Sequence, residues 1–228
     1  MVSSNYFFSS IHKDLIVSCQ ALEDEPMHGA DIMAKMAQAA KEGGAKAIRS
    51  NSAEDVEAIK KQTGLPVIGL VKRNYQDSEV FITATLKEIK ELLAVKPDVI
   101  ALDATIRRRP NDEKLKDLVS YIHEQSDTLV MADIATIKDA EYACECGVDM
   151  VSTTLSGYTA DSPKLEGPDF QLVEELCKKI DIPVIAEGRI NTPAQARQLL
   201  ELGAWSIVVG SAITRPQLIT KRFAEYIK

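Results

Sequence analysis

Apolar residues in this chain cluster into short, nearly continuous runs at residues 15–20, 45–49, 66–72, 99–103, 129–133, 150–153, 183–187 and 206–210. The runs do not alternate apolar with polar, so each predicts a strand buried on both faces, the signature of a parallel sheet. Between them the spacing changes to that of helices. Residues 33–41 form one, halted by Gly43-Gly44. Ser52 and Asp55 cap a helix that runs to about Lys61, and Ile82, Leu86, Ile89 and Leu93 mark one face of a longer helix. Residues 115–124 and 170–179 are further helices, and Thr136 with Asp139 caps another that Gly147 ends. Thr192, Pro193 and Gln195 combine a cap, a proline at the first helical position and an amide three residues on; Gly203 closes that helix. A last helix starts near Gln217, and the longest irregular stretch is 155–169.

Eight strand–helix units with no break in composition predict an α/β fold, a (β/α)8 barrel formed as a single domain by residues 1–228. An open doubly wound sheet is the competing arrangement. Internal echoes favour the barrel. GAKAI, GVDMV and GAWSI recur at strands two, six and eight, and LPVIGLVK aligns with IPVIAEGR four strands later. A repeat at that offset fits a closed ring of two related halves.

Composition narrows the function. The chain is 45% hydrophobic, enough for a large core, and its net charge of -7 argues against a general nucleic-acid binder while leaving room for a small anion held by local positive charge. Cys19, Cys144, Cys146 and Cys177 lack metal-site or disulfide-framework spacing, and free thiols suit a reducing cytoplasm. His12, His28 and His123 share no spacing, so no metal is expected. The chain contains no apolar run near the roughly 20 residues of a membrane span, and residues 5–14 lack the features of a signal peptide.

In a barrel of this type the working face lies at the C-terminal ends of the strands. Those ends are Gln20, Arg49, Lys72, Asp103, Asp133, Thr153, Glu187 and Gly210. Any one of them is equally at home as a solvated rim residue. As a set, they put polar groups where buried strands would otherwise stay apolar. Gly188 and Gly210-Ser211 follow strands seven and eight, the usual phosphate cradle of this fold, and Arg215 adds a charge-assisted donor. Lys72 and Glu187, four strands apart, face each other across the ring. Burial, and Arg49 if it lies close, would bring the lysine toward the range of a base. Tyr158 is a candidate cover, whereas Arg107-Arg108-Arg109 reads as a solvated loop and Trp205 and Tyr142 as packing residues.

The segments LIVSCQALEDEPMH, AIRSN, PVIGLVKR, ALDAT, MADIAT, STTLSGYT, PVIAEGRI and VVGSAITRP together resemble the bacterial N-acetylmannosamine-6-phosphate 2-epimerases, of the ribulose-phosphate-binding-barrel type. The first dozen residues carry no motif of the family. The resemblance implies interconversion of N-acetylmannosamine 6-phosphate and N-acetylglucosamine 6-phosphate in sialic acid and amino-sugar catabolism. It implies Lys72 and Glu187 as acid/base residues. It further implies Gln20, Arg49, Asp133, Arg215, Gly188, Gly210 and Ser211 as substrate contacts, beside Thr153 and Tyr158 from the strand and loop reading. No cofactor, metal, nucleic acid or membrane is expected, the partner is a phosphorylated amino sugar, and a homodimer is kept among the expectations. Two other functions use the same residues: a Schiff-base aldolase built on Lys72, and a phosphosugar-binding barrel without catalysis.

Overall fold

The computed structural model of the chain describes residues 4–228. Its eight parallel strands close into a barrel in sequence order. They are β1 (Leu15–Cys19), β2 (Ala47–Asn51), β3 (Val67–Leu70), β4 (Val99–Asp103), β5 (Leu129–Asp133), β6 (Met150–Ser152), β7 (Val184–Glu187) and β8 (Ser206–Val209). Closure is made by β1 on β8, with Leu15, Ile16 and Val17 paired to Ile207, Val208 and Val209. No open sheet edge remains among these strands, which removes the doubly wound alternative.

The uniform apolar runs have a two-sided explanation. Successive strand residues point to opposite faces. Ile68, Leu70, Val99, Ala101, Leu129, Met131, Met150, Ile185 and Val208 pack together in the barrel interior. Their neighbours Val67, Ile100, Leu102, Val130, Ala132, Val151 and Val184 pack outward against the helices. Continuing the inward alternation upward leads from Leu70 to Lys72, from Ala101 to Asp103, from Met131 to Asp133 and from Ile185 to Glu187. These strand-end candidates are therefore the next inward layer above a dry core.

The surrounding helices are α2 (Ala30–Glu42), α3 (Ala53–Thr63), α4 (Leu86–Val95), α5 (Leu115–Gln125), α6 (Ile137–Glu145), α7 (Phe170–Lys179) and α8 (Pro193–Glu201), preceded by α1 (Ser4–Ile11) and followed by α9 (Ser211–Thr214) and α10 (Pro216–Tyr226). The caps read from sequence are formed: Ser52 accepts from the Asp55 N–H, and Thr136–Asp139 and Thr192–Gln195 are reciprocal capping boxes. One assignment shifts. The fourth helix begins at Leu86, after a Thr85–Glu88 capping box, and Ile82 lies outside it, bridged antiparallel to Lys72. Ile82 matches the helical period because it is buried in the barrel interior, which periodicity alone does not distinguish from a helix face.

The N-terminal residues, which carry no motif, have a structural role. Phe7 and Ile11 of α1 are buried in the barrel interior with Ile16, Ala47 and Ile68. The Trp205 indole N–H donates to the Phe8 carbonyl at 3.0 Å, and its ring meets Phe8 edge-on. Helix α1 thus stops the end of the barrel opposite the strand ends that carry the polar residues. At the other terminus, α10 buries none of its residues, and Phe223, Tyr226 and Ile227 stay exposed. Among the described residues no helix is long and apolar enough to cross a membrane.

Removing the stopper side chain should be costly. Phe7→Ala is expected to lower unfolding stability by about 3–5 kcal/mol, the usual cost of emptying a phenylalanine site, as read from urea denaturation. A loss below about 1 kcal/mol would mean that α1 does not seal the barrel.

Candidate active site

The inward layer at the strand ends opens into a cavity of about 490 Å³. It is lined by Gln20, Arg49, Lys72, Tyr158, Glu187, Gly188, Gly210, Ser211 and Arg215 among others. Of the sequence-derived strand-end candidates, Asp103, Asp133 and Thr153 lie outside its lining. A larger hollow of about 640 Å³ sits between α4 and α5, lined by Lys90, Tyr121 and His123, away from every strand end.

The floor is an ion network centred on Arg49. Its guanidinium is fully buried and grips Asp133 with two bonds, at 2.9 Å and 2.5 Å. The same Nη1 donates to Glu187 Oε2 at 2.8 Å. One buried cation therefore ties β2 to β5 and β7. Removing Arg49 or Asp133 would leave an uncompensated charge in a dry layer, which is why such pairs are costly to break. Burial raises the Glu187 carboxyl above its ordinary range; Arg49 opposes this and the neighbouring Asp133 carboxylate adds to it.

Lys72 projects over that floor. Its backbone N–H is held by the Asn51 side chain at 2.8 Å and its segment by the bridge to Ile82. Burial, then repulsion from Arg49 and Arg215, lowers its ammonium to about 8. The lysine can therefore exist neutral near physiological pH, as a proton acceptor requires.

At the opposite end, Gly210 and Ser211 begin the short helix α9. Gly210 is backed closely by Ser18, whose Cβ would lie 3.4 Å from an added Cβ. Gly188 has φ 106, a left-handed conformation natural only to glycine. Arg215 points toward this corner and donates to Glu25 at 2.8 Å, and Gln217 donates to the same carboxylate at 3.1 Å. Gln20 donates to the Ser18 hydroxyl, leaving its buried carbonyl oxygen without a donor. Tyr158 is exposed, with its ring 5.4 Å from the Arg189 guanidinium, and Arg189 donates to the carbonyls of Gly167 and Ser156.

Three details differ from the strand-end reading. The Thr153 hydroxyl is turned to the backbone, donating to the Glu187 carbonyl at 2.8 Å and accepting from its N–H at 3.0 Å. Thr154 is the residue that reaches the cavity and the network. Strand alternation does not reveal this, because β6 ends at Ser152 and Thr153–Leu155 is a 3-10 turn. Second, Asp103 is satisfied locally by Thr105 and Arg107 and does not line the cavity. Third, the arginine triplet is not a solvated loop throughout. Arg108 is exposed, but Arg109 is buried and donates to the carbonyls of Ala84, Asp103 and Thr83, latching the strand-three loop to β4. The sequence motif gives no sign of which arginine turns inward. All four cysteines are free, as the spacing implied.

Comparison with known proteins gives this geometry a context. Residues 33–228 match the NanE family, described as "Putative N-acetylmannosamine-6-phosphate epimerase". A Clostridioides difficile protein named "Putative N-acetylmannosamine-6-phosphate 2-epimerase" is 59% identical over 214 residues, 94% of this chain and 96% of its own length. A Listeria innocua protein of the same name is 48% identical over 227 residues, 98% of each. The solved N-acetylmannosamine-6-phosphate 2-epimerase from Clostridium perfringens superposes with a TM-score of 0.96 at 53% identity, covering 99% of this chain and 98% of that one. A thiamine phosphate pyrophosphorylase from Pyrococcus furiosus, at TM-score 0.64 and 19% identity over 94% and 93% of the two chains, shares the fold alone. With its barrel, its strand-end network and these relatives, the chain belongs to the N-acetylmannosamine-6-phosphate epimerase family.

Proposed function

We propose that the protein interconverts N-acetylmannosamine 6-phosphate and N-acetylglucosamine 6-phosphate by moving the proton on C2, as an N-acylglucosamine-6-phosphate 2-epimerase of sialic acid and amino-sugar breakdown. The observation that carries the reading is the pairing of a lysine lowered to about 8 with a buried carboxyl raised above its range, both facing one cavity. Two titratable groups pushed from their ordinary values in one site are suited to acid–base work. The chain acts in this reading as one barrel domain, and its four free thiols fit a cytoplasmic setting.

The two sugars differ only in configuration at C2, so the C2–H bond must break and re-form on the opposite face. A C2 proton is acidic only beside a carbonyl, and the ring form has none at C1. The sugar therefore opens first. Glu187, carrying its proton, gives it to the ring oxygen as the C1–O bond breaks and takes one back from the C1 hydroxyl, which becomes the carbonyl. Lys72, neutral, takes the C2 proton, leaving a C1–C2 enolate whose negative oxygen the fixed charge of Arg49 favours. Return of a proton to the other face of C2 gives the epimer. The phosphate is held by the Gly188 and Gly210-Ser211 backbone and by Arg215, exchanging some of its contact with Glu25. Gln20 and Asp133 complete the sugar site, Asp133 through Arg49, with Thr153 fixing the Glu187 backbone and Tyr158 covering the opening. The lowered Lys72 also suits a Schiff base. A covalent adduct trapped by borohydride with substrate would replace the epimerase reading with an aldolase one.

Three measurements test this reading. In deuterated water, Lys72→Ala is expected to stop both epimerisation and deuterium entry at C2, a loss on the order of 10²–10⁴-fold. Lys72→Arg is not expected to rescue, since guanidinium stays protonated. Deuterium entry at the wild-type rate would remove Lys72 as the base. The base must be neutral and the acid protonated, so kcat/KM for the wild type should pass through a maximum with pH, one limb set by Lys72, lowered to about 8, and the other by ionisation of Glu187. Arg215→Ala should weaken binding of the phosphosugar far more than that of the unphosphorylated sugar, and equal losses would move the phosphate elsewhere. The exposed Phe223, Tyr226 and Ile227 on and beside α10 are the surface we propose for a homodimer. Light scattering should give twice the chain mass, and Phe223→Glu with Tyr226→Glu should return it to a monomer.

A further inference from the structure

The Thr154 hydroxyl oxygen lies 2.8 Å from Asp133 Oδ1 and 2.9 Å from Glu187 Oε2. A hydroxyl carries one hydrogen and can donate to one oxygen at a time. If both carboxyl groups were ionised, one of these contacts would bring two lone pairs together at hydrogen-bond distance with no proton between them. Both carboxyl oxygens also take the same Arg49 Nη1, so neither can swing away without breaking the buried ion network. The two contacts are satisfied together only if one carboxyl group is protonated and donates to Thr154, which then donates to the other. Asp133 is the ionised partner, because it receives both arms of the Arg49 fork while Glu187 receives one.

We propose that Thr154 is a positioning residue that keeps Glu187 protonated in the free enzyme: the Glu187 carboxyl donates to the Thr154 oxygen, and the Thr154 hydroxyl donates to Asp133. The charged groups facing Glu187 are Arg49 from β2, Asp133 from β5 and Lys72 beyond β3; Ser152 adds a hydroxyl at 3.3 Å. The upward displacement of the Glu187 carboxyl through burial agrees with this arrangement. When Glu187 gives its proton to the substrate oxygen it becomes a carboxylate, and the Thr154 hydroxyl rotates to donate to it. When the proton returns, the hydroxyl turns back to Asp133. The only proton exchanged by the trio is the one passed between Glu187 and substrate. The neutral form uses both Thr154 contacts and the ionised form only one, so Thr154 favours the neutral acid. Its use in turnover rests on the epimerase reading; the protonation state does not.

The test is difference infrared spectroscopy of the free protein over a pH series. The wild type at neutral pH should show the carbonyl stretch of a buried carboxylic acid, and Glu187→Gln should remove it. Thr154→Val, close in shape, should make the band disappear at a lower pH than in the wild type, whereas Thr154→Ser should keep the wild-type titration. With N-acetylmannosamine 6-phosphate, Thr154→Val should lower kcat by up to the ~10²–10⁴-fold that an acid contributes, with little change in KM, and Thr154→Ser should restore most of it. The proposal is overturned if the wild type lacks the band at neutral pH, a result that needs no folded variant. It is also overturned if Thr154→Val leaves the titration unmoved or raises it, the sign expected if Thr154 donated to an ionised Glu187. A wild type that shows the band but does not epimerise this sugar would remove the proposed reaction and leave the protonation chain standing.

Discussion

The site depends on one buried positive charge. Arg49 sits in the first polar layer above a barrel interior of Ile68, Ala101, Met131 and Ile185, and its Nη1 also lies 3.4 Å from the Met131 sulfur. A guanidinium keeps its proton under all ordinary conditions. Desolvating that charge is expensive unless it is paired and hydrogen-bonded. Asp133 and Glu187 provide the pairing from strands across the ring, so the cost of burying Arg49 is offset only when the barrel is closed. Closure and site assembly are thus the same event, and the fixed charge is aimed at the cavity before any ligand arrives, as electrostatic preorganisation requires.

The same charge acts on the two groups proposed as base and acid, Lys72 and Glu187. Repulsion from Arg49 adds to burial in lowering Lys72, while in Glu187 attraction to Arg49 works against burial and the nearby Asp133. A lysine that ionises less readily and a carboxyl that ionises less readily than in water are both held by one layer of side chains. Neither arrangement favours stability. Residues at such a layer are chosen for chemistry, and the dry core beneath them, stopped by Phe7 and Ile11, supplies the rigidity that holds them.

The cavity's two ends differ in how firmly they are built. The Arg49 end is locked by charged bonds within the strands. The Arg215 end is carried on loops and on the four-residue helix α9, with its arginine held by Glu25 and the Gln217 amide beside it. Carboxylate contact with Arg215 occupies that donor, so the phosphate we propose at this corner would compete with Glu25 for it. Tyr158 and Arg189, on the loops after β6 and β7, sit at the open side with a ring-to-guanidinium contact that fastens one loop to the other.

The chain's own sequence determined the ring of strands, most of the helix limits and the identity of the polar groups at the strand ends. Those features are local: two-sided burial writes a continuous apolar run, and caps such as Thr192–Gln195 are satisfied within four residues. Lys72, Glu187 and Arg49 were legible because a charged residue ending such a run is conspicuous. Tertiary structure decided what local pattern leaves open. Thr153 and Thr154 look alike in sequence, and only the 3-10 turn that follows β6 gives one to the Glu187 backbone and the other to its carboxyl. Arg107, Arg108 and Arg109 are three equal charges until the fold buries the third against the carbonyls of Thr83, Ala84 and Asp103. Phe7 belongs to no motif because its partners, Ile16, Ala47 and Ile68, come together only when the barrel closes. Which groups share a proton is set by distances of under 3 Å between residues far apart in the chain, and such distances exist only in the folded ring.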